Sequence, residues 1–264
     1  MKFCVLASGS TGNCTLVSEG DTHLLVDCGL SCKQVATRVA EAGVDPASLA
    51  GICITHDHID HVRGLAVFAK KFPSVPLYAT SGSCGAVCGC GCPSLEAASW
   101  HLITPGSDFS IGGLSVHPFA TSHDAADSVG YLFRNVCGDT LGYATDLGYV
   151  PAMVQVALSH CRALILESNH DRMMLRNSGR SWSLIERIAG NSGHLSNEQS
   201  AELVDSILGT SPLHTLVLAH LSEECNTPEE ALGTHRLVLR RHHRLDAVRL
   251  LAASPSTPTP ILEV

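Results

Sequence analysis

Thr55-His56-Asp57-His58-Ile59-Asp60-His61 is the stretch on which the fold turns. Four candidate metal ligands, His56, His58, Asp60 and His61, crowd one short segment. The run 51–55 before them is continuously apolar up to Thr55 and reads as a short buried strand. Residues 61–71 after them read as a helix, with Leu65, Phe68 and Phe72 recurring on one face. His56 and His58 are two apart, so in an extended chain both point to the same side. Asp60 and His61 turn into the helix start and face a second point in space. One loop can therefore serve two adjacent ions. A polar loop with surface histidines is the plainer alternative, but chance clusters of this density are rare.

A pair of ions needs further ligands, and these should come from other strand ends. His123 follows the strand predicted over 114–120, Asp146 that over 140–145 and His220 that over 215–219. Asp27 ends a strand at 23–27. Each alone is as readily a cap or a turn residue; together they line one edge with His and Asp. Around them strands (2–7, 14–18, 23–27, 75–80) alternate with a helix at 31–42. The segments 101–104, 109–111 and 129–134 are β-like. Residues 153–158 form a short helix and 163–167 a strand. Helices at 183–188, 198–208 and 228–241 and a strand at 247–251 complete the pattern. Ser196 to Gln199 reads as a capping box, and Thr227-Pro228 as a capped helix start. This order predicts an α/β (α+β) chain with two sheets face to face and helices outside, a four-layer αββα sandwich. We expect one domain over 1–253 and a loose Ser/Thr/Pro-rich tail over 254–264.

Composition narrows the classes. The chain has 264 residues, enough for a substantial core. No apolar run approaches the roughly 18 residues of a membrane span. The apolar stretch near the N-terminus is cut short by Ser8, Gly9 and Ser10, so a cytoplasmic protein without a signal peptide is expected. Most of the 12 cysteines sit singly in apolar strands, which suits a reducing compartment. Aromatics make up only 5%, which argues against an extended base-stacking platform. The net charge of −8 argues against a general nucleic-acid coat. Two divalent ions would bring it to about −4, with the added charge local to the site.

Asp27, the His56–His61 loop, His123, Asp146 and His220 together resemble, in order, the five motifs of the metallo-β-lactamase fold superfamily, over nearly the whole chain. The resemblance implies one ion on His56, His58 and His123, and a second on Asp60, His61 and His220. It places Asp146 between the two ions and Asp27 behind the loop as a steadying residue. Two ions about 3.5–4 Å apart activate water and neutralise phosphoryl oxygens, which suits ester-type hydrolysis. Nitrogen and oxygen ligands suit Zn²⁺, and Mn²⁺ or Fe fit them too.

Smaller motifs bear on the substrate. Ala7-Ser8-Gly9-Ser10-Thr11-Gly12-Asn13 is a Gly/Ser turn, either a tight hairpin or a set of N–H and hydroxyl groups for phosphate. Gly193-His194-Leu195-Ser196-Asn197 precedes a helix, where a His can bind phosphate or protonate a leaving oxygen. Glu167-Ser168-Asn169-His170-Asp171 ends a strand, with a structural role as plausible as a functional one. These motifs resemble the WalJ/YycJ group of the superfamily, regarded as 5′-to-3′ DNA exonucleases. The resemblance implies Asp60, Asp146 and His194 as catalytic residues and DNA as substrate. It suggests Ser8, Ser10, Asn13, His194 and Ser196 as substrate contacts. The long inserted domain of the RNA-processing members and the arm of the tRNA-processing members are missing here.

Two stretches depart from that group or stand apart from it. Cys84, Cys88, Cys90 and Cys92 crowd a Gly-rich segment that we expect to be a flexible loop rather than a zinc site, since the spacing lacks C-x₂-C pairs. Arg240, Arg241, His242, His243 and Arg244 read first as a solvated helix end. Two other functions compete with the nuclease. A small-molecule phosphodiesterase would use the same metals, and the acidic charge and few aromatics keep it open. A non-catalytic nucleic-acid-binding regulator would not need the complete ligand set.

Overall fold

The computed structural model describes all residues 1–264. In the N-terminal half, β1 (Lys2–Ala7), β2 (Cys14–Glu19), β3 (Thr22–Val26), β4 (Gly51–Cys53), β5 (Leu77–Thr80) and β6 (Trp100–Ile103) lie side by side in chain order. The first three are antiparallel, and β3 to β6 are parallel. The second sheet contains β7 (Phe109–Ile111), β8 (Leu114–Ala120), β9 (Val129–Arg134), β10 (Thr140–Ala144), β11 (Ala163–Glu167), β12 (Thr215–Ala219) and β13 (Arg249–Ala252), again in order. There β7 to β10 are antiparallel and β10 to β13 parallel. The last strand, β14 (Leu262–Glu263), returns to pair with β1.

Alternation along the strands explains why there are four layers. Phe3 and Val5 of β1 face the second sheet, while Cys4 and Leu6 face outward into a helix layer. In β12, Val217 points between the sheets and Leu216 and Leu218 point out. Strands buried on both faces read as continuous apolar runs. The outer face of the first sheet is covered by α1 (Cys32–Glu41), α2 (Ile59–Val62), α3 (Leu65–Lys71), α4 (Ser81–Cys88) and α5 (Pro93–Glu96). Next in the chain come α6 (Ala152–Leu158), α7 (Arg172–Arg176), α8 (Trp182–Ala189), α9 (Asn197–Leu208) and α10 (Pro228–Arg241), of which α6, α9 and α10 chiefly cover the outer face of the second sheet. The αββα sandwich expected from the sequence is thus the observed fold. No helix is long and apolar enough to cross a membrane.

Three local expectations fail for physical reasons. The helix expected over 61–71 is broken into α2 and α3 at Gly64. Its N–H donates to Cys28 O at 2.9 Å, and a Cβ there would meet Leu30 O at 2.1 Å. The cysteine-rich segment is not a loose loop: Cys84 and Cys88 lie in α4, and Cys90 and Cys92 lie in the short turn that leads to α5. Thr80 caps α4 through Ser83 N, and Val87 and Leu95 are buried in the outer core. The tail after 253 is tied down rather than loose. Thr259 bonds both ways with Val5, and Leu262 pairs with Phe3. The free edge of β1 needs partners for its N–H and C=O groups, and that need outweighs the tail's composition.

His235 of α10 is wedged against α9. Its Nδ1 lies 2.9 Å from Ala231 O and its Nε2 3.1 Å from Ser200 Oγ. Burial pushes its pKa down to about 4. An unfolded His takes up a proton below about pH 6.5, which the folded site refuses until far lower pH. Stability is therefore lost as pH falls through that window, on the order of 2 kcal/mol by pH 5. Urea unfolding at pH 7 and pH 5 should show a smaller loss in His235→Gln than in the wild type. Equal losses would contradict this.

Candidate metal centre

Several strand ends converge on one rim of the sandwich. Asp27 follows β3, the His56–His61 loop follows β4, and His123 follows β8. Asp146 follows β10, Glu167 ends β11 and His220 follows β12. At three of these points the chain turns through the left-handed region: Asp27 at φ 63°, Asp146 at φ 60° and His220 at φ 55°. That conformation costs roughly 1–2 kcal/mol per L-residue, although Asp, Asn and His tolerate it better than most. Such strain marks sites where the surroundings dictate the backbone.

The side chains gather in overlapping groups whose ligand atoms lie within 4.8 Å of one another. One comprises His56, His58 and His123, another Asp60, His61 and His220. Asp146 connects them: its carboxylate lies 3.4 Å from His61 Nε2, 3.6 Å from His220 Nε2 and 3.7 Å from His123 Nε2. Asp60 Oδ2 lies 3.3 Å from His220 Nε2 and 3.4 Å from His61 Nε2.

All of these rings but His58 are fixed from behind, which leaves the other nitrogen for the centre. The fully buried Asp27 accepts from His61 Nδ1 at 2.7 Å, Thr55 N at 2.8 Å and Thr55 Oγ1 at 2.9 Å. His123 Nδ1 donates to Gly193 O at 3.1 Å. Glu167, also fully buried, accepts from His220 Nδ1 at 3.1 Å and His194 Nδ1 at 2.8 Å through Oε1. Its Oε2 accepts from Leu147 N and Leu195 N, both at 3.0 Å. Carboxylates and carbonyls placed this way set tautomer and orientation in metal-binding histidines. The turns after β1 and after β3 pack backbone to backbone on the loop. Asn13 N donates to Asp60 O, and a Cβ on Gly29 would overlap that same oxygen at 1.6 Å. Asp57, the loop's other acid, instead accepts from Ala126 N at 3.0 Å and takes a structural role.

The donor set fits divalent cations. His56 Nε2 and Asp146 Oδ2 are buried with no hydrogen-bond partner, although unpaired buried polar atoms are costly. Burial alone would raise the Asp146 and Asp60 carboxyl pKa values, yet the neighbouring imidazoles hold both well below the usual range. Burial would neutralise His61, but the Asp146 and Asp27 carboxylates outweigh it and hold its pKa at about 10. Burial pushes His56 down, into the neutral form that binds metal. Several buried carboxylates thus demand positive charge at this one point. A cation supplies it where the ring nitrogens and carboxylate oxygens converge.

The expected substrate contacts divide. His194 is partly exposed and, with Ser10, lines a cavity of ≈ 230 Å³ at the centre's mouth. Ser8, Asn13 and Ser196 are buried and differently engaged. Ser8 Oγ accepts from His220 N at 2.8 Å and bonds Asn13 Oδ1 at 3.1 Å. Asn13 Nδ2 reaches Asp60 Oδ2 at 3.3 Å, which makes it a support for that carboxylate. Ser196 caps α9. All three side chains are thus engaged within the fold. Asp205 pairs with Arg241 and His242, in keeping with an ordinary helix end. Sequence reasoning did not assign the orienting role of Glu167, although its place at a strand end was visible. It also missed Arg180 and Arg187, which line the mouth and pair with Glu224 at 2.8 Å and Asp124 at 2.6 Å. Nothing in their local sequence distinguishes them from solvated surface arginines.

Residues 22–220 match a family model described as a beta-lactamase superfamily domain. The chain is 35% identical over 234 residues to an exodeoxyribonuclease YycJ of Bacillus anthracis, covering 88% of this chain and 86% of that protein. It is 32% identical over 271 aligned positions to an exodeoxyribonuclease WalJ of Streptococcus pneumoniae, covering 100% and 98%. Among solved structures, the metallo-β-lactamase fold protein YhfI of Bacillus subtilis superposes with a TM-score of 0.72 at 14% identity, covering 98% of this chain and 99% of that one.

The geometry around Glu167 makes a test. Glu167→Gln should weaken divalent-metal affinity on the order of 10–100-fold, read by competition with a chromogenic chelator. Unchanged affinity would remove Glu167 from the support of the centre.

Proposed function

We propose that this chain, which belongs to the beta-lactamase superfamily and is a metal-dependent hydrolase, cleaves phosphodiester bonds in DNA as a 5′-to-3′ exonuclease. In this reading His56, His58 and His123 hold one divalent ion and Asp60, His61 and His220 a second. Asp146 serves both, and Zn²⁺ or Mn²⁺ is the expected metal. When bound, the ions supply Lewis-acid stabilisation of phosphoryl oxygens and activation of water. The observation that carries the chemistry is the oxygen-rich half of the centre. Asp60 and Asp146 converge there on the Nε2 atoms of His61 and His220, Asp60 at 3.4 and 3.3 Å and Asp146 at 3.4 and 3.6 Å.

The chain's own residues do the rest. An ionised Glu167 can only accept, so the Nδ1 facing it carries the proton and His194 is held in one orientation. With that nitrogen engaged, Nε2 is left free to face the substrate, and once it has taken a second proton from solvent the ring would pass that proton to the leaving oxygen. Arg180 and Arg187 at the mouth offer guanidinium groups to the phosphates. DNA as the substrate is supported by the two exodeoxyribonucleases that match over nearly the whole chain.

A second reading, a small-molecule phosphodiesterase, is favoured by the modest cavity of ≈ 230 Å³ and the net charge of −8. One assay separates the two. With Mn²⁺ or Zn²⁺, the purified protein should shorten end-labelled duplex DNA directionally, and Asp60→Ala should reduce the rate at least ~100-fold. Turnover of bis-(p-nitrophenyl) phosphate with DNA left intact would favour the small diester.

A further inference from the structure

The helix α8 buries none of its residues, although it carries Trp182, Leu184, Ile185 and Ile188. An apolar helix left this open calls for an explanation. Its two faces border different spaces. Leu184, Arg187 and Ile188 line the mouth of the metal centre. Trp182, Ile185 and Ala189 line a separate groove of ≈ 390 Å³ on the far side. The opposite wall of that groove is Arg172 and Arg176, from α7.

We infer that this groove binds the single-stranded DNA segment next to the scissile phosphate, with a base stacked on Trp182 and phosphates on Arg172 and Arg176. The inference rests on the DNA reading proposed above. Three observations carry it. Trp182 is 64% exposed, so one of the chain's two tryptophans holds its indole out to solvent. No carboxylate lines the groove, in a chain whose net charge is −8. Arg176 makes no ion pair, and Arg172 has only an outlying Glu198 at 3.5 Å and Ser196 Oγ at 3.1 Å. Two underused guanidinium groups beside an open indole suit the alternation of phosphate and base along a strand.

The groove is also continuous with the chemistry. Arg180 lines the metal-centre mouth and Trp182 the groove, with only Ser181 between them. Two residues span at most about 7 Å, so a strand crossing there passes directly from one space to the other. A stacked base must be unpaired. The site therefore selects a single-stranded or frayed end over an intact duplex.

The test compares substrates of different length. For wild type, Trp182→Ala and Arg176→Ala, KM and kcat are measured on a single-stranded 12-mer and on a dinucleotide, with Mn²⁺. The expected result is a 12-mer KM raised about tenfold, with the ratio of 12-mer to dinucleotide KM raised in step and kcat retained. Titrating the 12-mer into wild type in chelator should also quench tryptophan emission, and Trp182→Phe should lose that quench. A wild type that cuts DNA, with variants whose KM ratio is unchanged, overturns this inference alone. A wild type that cuts no DNA overturns the proposed function and this inference together.

Discussion

Buried negative charge at one rim is the constraint on which the rest of the structure depends. Asp27, Asp146 and Glu167 lie almost wholly out of water, with Asp60 close by. Isolated buried carboxylates are very costly, so each must meet a cation or several donors. Asp27 and Glu167 meet backbone N–H groups and ring nitrogens from behind the site. Asp60 and Asp146 face inward, toward imidazoles that burial disfavours as cations. The two kinds of carboxylate do different work. The rear pair fixes the rings, and the front pair creates the demand that a metal cation satisfies.

The architecture follows from bringing those groups together. Parallel strands β10, β11 and β12 end at the same rim, so Asp146, Glu167 and His220 arrive side by side from distant parts of the chain. The first sheet delivers Asp27 and the His56–His61 loop through the parallel pair β3 and β4. Three left-handed residues at these ends show where backbone preference gives way to side-chain placement. The stability of the sandwich comes from its three apolar layers, which leaves the rim free to carry strain.

Much of this was legible in the sequence, because apolar runs and metal-ligand spacing are local signals. His56, His58, Asp60, His61, His123, Asp146 and His220 all converge where the strand ends implied. What stayed hidden depends on tertiary context. The tail is Ser/Thr/Pro-rich, yet an unpaired strand edge recruits it. Ser8, Asn13 and Ser196 have the right chemistry for phosphate, but the fold spends them on His220, Asp60 and a helix cap. The helix α7 is too short for its period to show, and so the groove it forms with α8 had no sequence signature.

The central claim is that this rim holds two divalent ions, one on His56, His58 and His123 and one on Asp60, His61 and His220. Anomalous diffraction at the metal edge, from crystals of protein saturated with Zn²⁺ or Mn²⁺, tests it most directly. Two peaks about 3.5–4 Å apart, with Asp146 between them, are expected. A single peak, or a second one away from Asp60, His61 and His220, would contradict it.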